Sequence, residues 1–192
     1  MALQTSGAIS LNQIHTEVGG TSGTQASLND SDIRVIAGIP SGAVDFADCY
    51  GAISVVVTQG TQSFTQATYY GFSNSSGSLG SRSPTNVAGS SLSNMIIRAC
   101  YRTNSSSGVF FTVEVDYSSA NAIDADEFTS FSFIANGTVT TLSTSEASTS
   151  LVGGGYIRRW VWSSSYGLDS TELSNINSEW DGSGTVRVGF KP

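Results

Sequence analysis

The sequence predicts a mainly β protein: an antiparallel β-sandwich or barrel preceded by a segment of short α-helices. Three observations predict it. Charged residues are 12% of the 192-residue chain and hydrophobic residues 39%, so a core can be buried while long solvated helices lack the Lys, Glu and Arg their outer faces need. Ser, Thr, Gly and Asn take the place of charge, which suits short strands and frequent turns. The spacing of apolar residues also changes near residue 52, from helical to alternating.

The first fifty residues carry the helical signals. Ser10 and Gln13 have capping-box spacing, Leu11, Ile14 and Val18 follow on one side, and Gly19-Gly20 stops the run, predicting a helix over 11–18. Ser27-Leu28-Asn29-Asp30 repeats the opening. Leu28, Ile33, Ile36 and Ala37 mark an apolar side that Gly38 and Pro40 close, predicting a second helix over 28–37. A weaker start lies at 45–50 and ends at Gly51. Helices this short are marginal in water, so their apolar residues must pack on one another, on the following domain or on another chain. Ile9, Leu11, Ile14, Val18, Leu28, Ile33 and Ile36 are the candidates for docking on a partner. Residues 1–52 are therefore read as a docking segment and residues 53–192 as a β-sandwich-like domain.

In the second part the period is two. Strands are predicted over 53–58, 65–72, 92–101, 109–116, 128–135, 139–142, 155–162 and 185–190. Asn136-Gly137 is a strong short hairpin signal. Residues 73–91, rich in Ser, Gly and Asn and holding Pro84, read as a long loop, and residues 169–180 as a loop or one helical turn. About eight short strands without βαβ alternation or a fixed repeat favour the antiparallel architecture.

The formal net charge is −7, from eight basic and fifteen acidic residues, and Lys191 is the one lysine. A nucleic-acid binder needs a basic stripe, and Arg98 with Arg102 and Arg158-Arg159 are too few to supply it. The opening residues have no basic and apolar leader pattern, and no stretch has the length that crosses a bilayer. Neither nucleic acid nor membrane is thus an expected partner. Cys49 and Cys100 read as two buried thiols or a disulfide.

Reactive chemistry is sparse. His15 is the one histidine and sits on the polar side of the first helix, with no nucleophile elbow, P-loop or zinc-protease motif anywhere. Gly153-Gly154-Gly155 precedes a strand, so it lacks the helix N-terminus of a phosphate loop. Asp124, Asp126 and Glu127, with Asp116 and Asn121 nearby, read as a solvated acidic turn or a Ca²⁺ loop. A glycosidase needs two facing carboxylates, and no local motif selects a pair from Glu114, Asp116, Asp169, Glu172, Glu179 and Asp181. The expectation is no enzyme, with no catalytic residue, metal ligand or cofactor. Trp160 and Trp162, two apart on one strand, share a face; they read as core or, with Tyr70, as a platform for a ligand.

Several stretches together resemble a known family. Residues 6–14 (Ser-Gly-Ala-Ile-Ser-Leu-Asn-Gln-Ile), Gly19-Gly20, residues 26–34 (Ala-Ser-Leu-Asn-Asp-Ser-Asp-Ile-Arg) and Tyr50-Gly51-Ala52 resemble a segment of tail and other virion proteins of tailed bacteriophages, above all phages of cyanobacteria and other marine bacteria. Tyr70-Gly71-Phe72, residues 77–81, Ser83-Pro84-Thr85, Phe128-Thr129-Ser130, Ala135-Asn136-Gly137 and Trp160-Val161-Trp162 look similar to a β domain in the same setting. The resemblance implies a structural component of the virion: a tail fibre, a tail or baseplate part, or a capsid decoration. It brings no catalytic residues. The chain is short for a fibre, which favours a decoration or adaptor. The expected partners are other virion proteins and further copies of the chain, with a trimer favoured. The alternative is a carbohydrate-binding module that recognises a host-surface glycan.

Overall fold

The computed structural model describes residues 3–4, 6–74, 79–83, 95–117, 128–152 and 156–192. At the start of the chain, Ser10 caps helix α1 (Leu11–Glu17): its hydroxyl accepts the Gln13 N–H, and the Gln13 side chain accepts the Ser10 N–H. Helix α2 (Ser31–Ala37) starts three residues later than its sequence suggests. The Asp30 carboxylate turns back to accept the Ser27 N–H at 2.9 Å, so residues 27–30 form a turn and Asp30 becomes the N-cap. Gly38 ends α2 in the left-handed conformation at φ 70°. The weak signal at 45–50 is a single 3-10 turn, Ala47–Cys49.

The strands follow: β1 (Ile53–Thr58), β2 (Gly60–Phe64), β3 (Ala67–Ser73), β4 (Ser81–Ser83), β5 (Met95–Ser105), β6 (Gly108–Tyr117), β7 (Ser130–Ala135), β8 (Thr138–Ser143), β9 (Ser148–Val152) and β10 (Ile157–Ser163). Helix α3 (Ser170–Glu179) and β11 (Thr185–Lys191) close the series. They form two antiparallel sheets, one in the order β4-β1-β11-β7-β8 (sheet A) and one in the order β2-β3-β5-β6-β10-β9 (sheet B). The protein is a β-sandwich, as the alternation predicts.

One face of each sheet supplies the main core. Val55 and Val57 of β1, Phe131 and Phe133 of β7, and Val188 and Phe190 of β11 meet Phe111 and Val113 of β6 and Trp160 and Trp162 of β10. Aromatic rings dominate: Phe131 lies 5.1 Å from both Trp160 and Phe190, and 5.7 Å from Trp162, in edge-to-face contacts. Asn136, at φ 51°, and Gly137, at φ 76°, make the tight β7–β8 turn that their dipeptide predicts.

Helix α3 replaces the expected loop or single turn. Its capping box is complete: Asp169 accepts the Thr171 and Glu172 N–H groups at 2.8 and 2.7 Å, and Glu172 accepts the Asp169 N–H at 2.9 Å. Ile176 and the following Trp180 enter the main core. Asn175 donates to Thr140 of β8 at 2.8 Å, and Arg102 of β5 donates to Asn177 at 3.0 Å. The helix thus closes one end of the sandwich by touching both sheets.

The N-terminal segment forms a third layer over the outer face of sheet A. Leu3, Ile14, Val18, Ile33, Ile36, Ala37, Val44, Cys49 and Ala52 make a separate small core. Several polar contacts tie it to the sheet. Glu17 accepts the Ser54 N–H at 3.1 Å, Arg187 donates to the Ser54 hydroxyl at 2.7 Å, and Lys191 donates to the Asp48 carbonyl.

Candidate functional site

The residues predicted to dock on a partner are mostly interior. Ile14, Val18, Ile33 and Ile36 are at most 2% exposed within the small core of the chain itself. Ile9, Leu11 and Leu28 are half-buried against the same core. These seven side chains therefore stabilise the helical cap and do not form an open apolar face.

Of the two readings of Trp160 and Trp162, the structure bears out the core reading and corrects the ligand platform with Tyr70. Trp160 and Trp162 are 1% and 0% exposed, because their shared side of β10 is the one that faces sheet A. The Trp162 indole N–H donates to the Ser143 carbonyl at 2.9 Å, which fixes the ring inside the core. Tyr70 is half-buried, with the Arg102 guanidinium 4.1 Å from its ring centre. The three residues form no common surface.

The cysteines lie in different layers, Cys49 in the cap core and Cys100 in the main core, and both are buried free thiols. His15 is bonded through Nε2 to the Thr24 hydroxyl at 2.9 Å. Several of the candidate carboxylates have structural partners. Glu114, 2% exposed, pairs with Arg159 at 2.6 Å, and Asp116 pairs with Arg98 at 3.3 Å. Asp169 and Glu172 cap α3, and Asp181, held below the usual carboxylate range by hydrogen bonds from Ser183, fixes the following turn. The acidic stretch 124–127 lies outside the described residues, as does Gly153-Gly154-Gly155. Among the described residues no three His, Cys, Asp or Glu side chains gather to hold a metal ion, and no helix is long and apolar enough to cross a membrane.

A different surface has the character of a binding site. On sheet B the residues that alternate with the core strands' inward side chains point away from sheet A. Tyr69 stands opposite Thr103, Thr103 opposite Phe110, Tyr101 opposite Thr112, and Thr112 opposite Val161. The β2–β3 turn adds Phe64, Thr65 and Gln66, and residues 105–107 of the β5–β6 turn stand beside it at the same end of the sheet, where Ala67 pairs with Ser105. Together they line a groove of about 690 Å³. Phe64 meets Tyr69 edge-on at 5.5 Å and 87°, and Tyr69 lies 5.5 Å from Tyr101 at 59°, so the three rings make a stepped shelf and not one flat face. Burial pushes the Tyr101 phenol above its usual range. A smaller cavity of about 540 Å³ opens at the end of the sandwich between Phe128, Thr144, Arg158 and Trp160.

Sequence reading missed this shelf because its rings come from three separate strands, β2, β3 and β5. The one local sign is Tyr69-Tyr70, whose two rings leave opposite faces of β3. Compared with protein-family models, curated proteins and solved structures, the chain matches none.

Proposed function

We propose that the protein is a non-enzymatic structural component of a bacteriophage particle, carried among other virion proteins at the tail, baseplate or capsid surface. The phage setting is supported by the resemblance of residues 6–14, 26–34 and 50–52 to a virion-protein segment. The observation that carries the structural role is the one-sided build of the molecule. The helical cap seals the outer face of sheet A, while the outer face of sheet B stays open around Phe64 and Tyr69.

In this reading the outside of the cap meets a neighbouring virion protein and the sheet B side projects. Docking then runs through exposed cap residues such as Phe46, which is 40% exposed, and not through the buried isoleucines. Repeated copies, as a trimer, would supply the symmetric interface that a particle surface needs. Mass spectrometry of particles purified from lysates of cells making the protein tests the assignment, and absence from those particles refutes it. A Phe46→Asp variant tests the docking side: its occupancy should fall while its melting temperature holds, and undiminished occupancy would place docking elsewhere.

A further inference from the structure

We propose that the groove over sheet B binds a neutral oligosaccharide. Phe64 is 53% exposed at the end of β2, and its described ring contact is the edge-on one with Tyr69. An apolar ring held on a rim beside two further rings offers surface that sandwich packing does not use. Pyranose rings present an apolar C–H face that stacks on such a shelf and a perimeter of hydroxyls that needs hydrogen bonds. The groove has both halves of that complement: rings from Phe64, Tyr69 and Tyr101, and hydroxyl or amide groups from Thr65, Gln66 and Thr103.

Charge decides among occupants. The chain carries a net −7, yet no residue lining the groove is charged. The nearest charges on that face, Arg159 and Glu114 beside Tyr101, are paired with each other at 2.6 Å, so neither a phosphate or sialic acid nor a basic peptide meets an uncompensated charge there. An extended peptide that adds to a sheet needs a free strand edge, and the groove lies over β5 and β6, which are paired on both sides. Its volume of about 690 Å³ fits the range of about 300–1,000 Å³ typical of small-ligand sites. A second copy of the chain would need a flatter and more apolar patch. The groove's chemistry is the same whether or not the protein sits in a virion, so glycan binding and particle occupancy succeed or fail separately.

Titration calorimetry of the full chain with neutral tetrasaccharides of glucose, galactose and mannose, and with a sialylated tetrasaccharide, tests the proposal. At least one neutral sugar should bind, with an affinity unchanged between low and high salt. Phe64→Ala should keep the wild-type melting temperature and weaken binding by about tenfold, while Phe64→Trp restores it. The proposal is overturned if the folded protein binds none of the neutral sugars or prefers the sialylated one. It is equally overturned if Phe64→Ala binds undiminished, or if sedimentation shows copies associating through Phe64.

Discussion

Gly189 of β11 lies directly against the main-chain carbonyl of Val35 in α2: a Cβ built on Gly189 would sit 2.2 Å from that oxygen. Helix α2 crosses the centre of sheet A so closely that only a hydrogen fits between them. The constraint is one of space, and the obstacle is backbone, which cannot swing aside as a side chain can. Gly189→Ala should destabilise the protein by about 1–3 kcal/mol. Urea unfolding measures the loss, and limited proteolysis should show residues 1–52 cleaved faster than in the wild type. Wild-type stability with unchanged proteolysis would mean that the cap does not rest on β11 in this way.

Glu17 supplies a test by pH. It accepts the Ser54 N–H close to Arg187, yet burial holds its carboxyl above the ordinary value of 4.5 despite that bond and that charge. The folded state therefore keeps the proton to a higher pH than the unfolded chain. The stability this contributes is present below 4.5 and is lost as pH rises through the folded value. Glu17→Gln keeps an acceptor for Ser54 without the charge. Thermal melts should find the variant at least as stable as the wild type at pH 7, with its advantage shrinking as pH falls towards 4.5. Glu172 and Glu179, also raised by burial, are common to both proteins and cancel in the difference.

Trp162 separates a core role from a ligand role. It is fully buried, lies 6.2 Å from Phe111 and 5.7 Å from Phe131, and donates to the Ser143 carbonyl. Trp162→Ala should cost about 3–5 kcal/mol, enough to unfold a marginal domain. Near-ultraviolet circular dichroism would show the loss of ordered aromatics. A Trp162→Ala protein with wild-type unfolding would contradict the placement of this ring.

The thiols make a chemical prediction. Burial pushes Cys49 up to about 11, and Cys100, fully enclosed in the main core, is pushed up further. Thiolates are the reactive form, so iodoacetamide at pH 8 should modify neither cysteine in the native protein and both in urea. Mass spectrometry of tryptic peptides reads the result, and rapid native labelling of Cys100 would show that the core opens. A disulfide between them is excluded by geometry, since Cys49 packs in the cap and Cys100 between the sheets.

The sandwich was legible in the sequence where the strands carry core residues. Val109 to Asp116, Phe128 to Ala135 and Thr185 to Phe190 alternate clearly, and each occupies an interior position in its sheet. The strands that sequence reading missed, β2, β4 and β9, are all edge strands. Pairing on one side only, with polar residues such as Thr61, Gln62, Thr149 and Ser150, leaves no apolar rhythm to detect. Helix α3 was obscure because only Ile176 along its length is fully buried, although Asp169 and Glu172 do carry a readable capping pair. The same-face pairing of Trp160 and Trp162 was legible, but which face looks inward depends on the partner sheet. The ring shelf was not legible at all: Phe64, Tyr69 and Tyr101 meet only once three strands are in register.

The central place of β11 has a consequence for the order of events during synthesis. This strand, residues 185–191, lies between β1 and β7 and also carries α2 on its outer side. A nascent chain that has produced the cap helices and ten strands still lacks the element that joins them. Sheet A would remain in two pieces, and Lys191 would not yet have reached Asp48, 143 positions earlier. Such distant pairings close slowly. Ribosome-bound chains halted before residue 185 should therefore leave the N-terminal helices open to chaperones and proteases, and release of the last strand should protect both regions in one step.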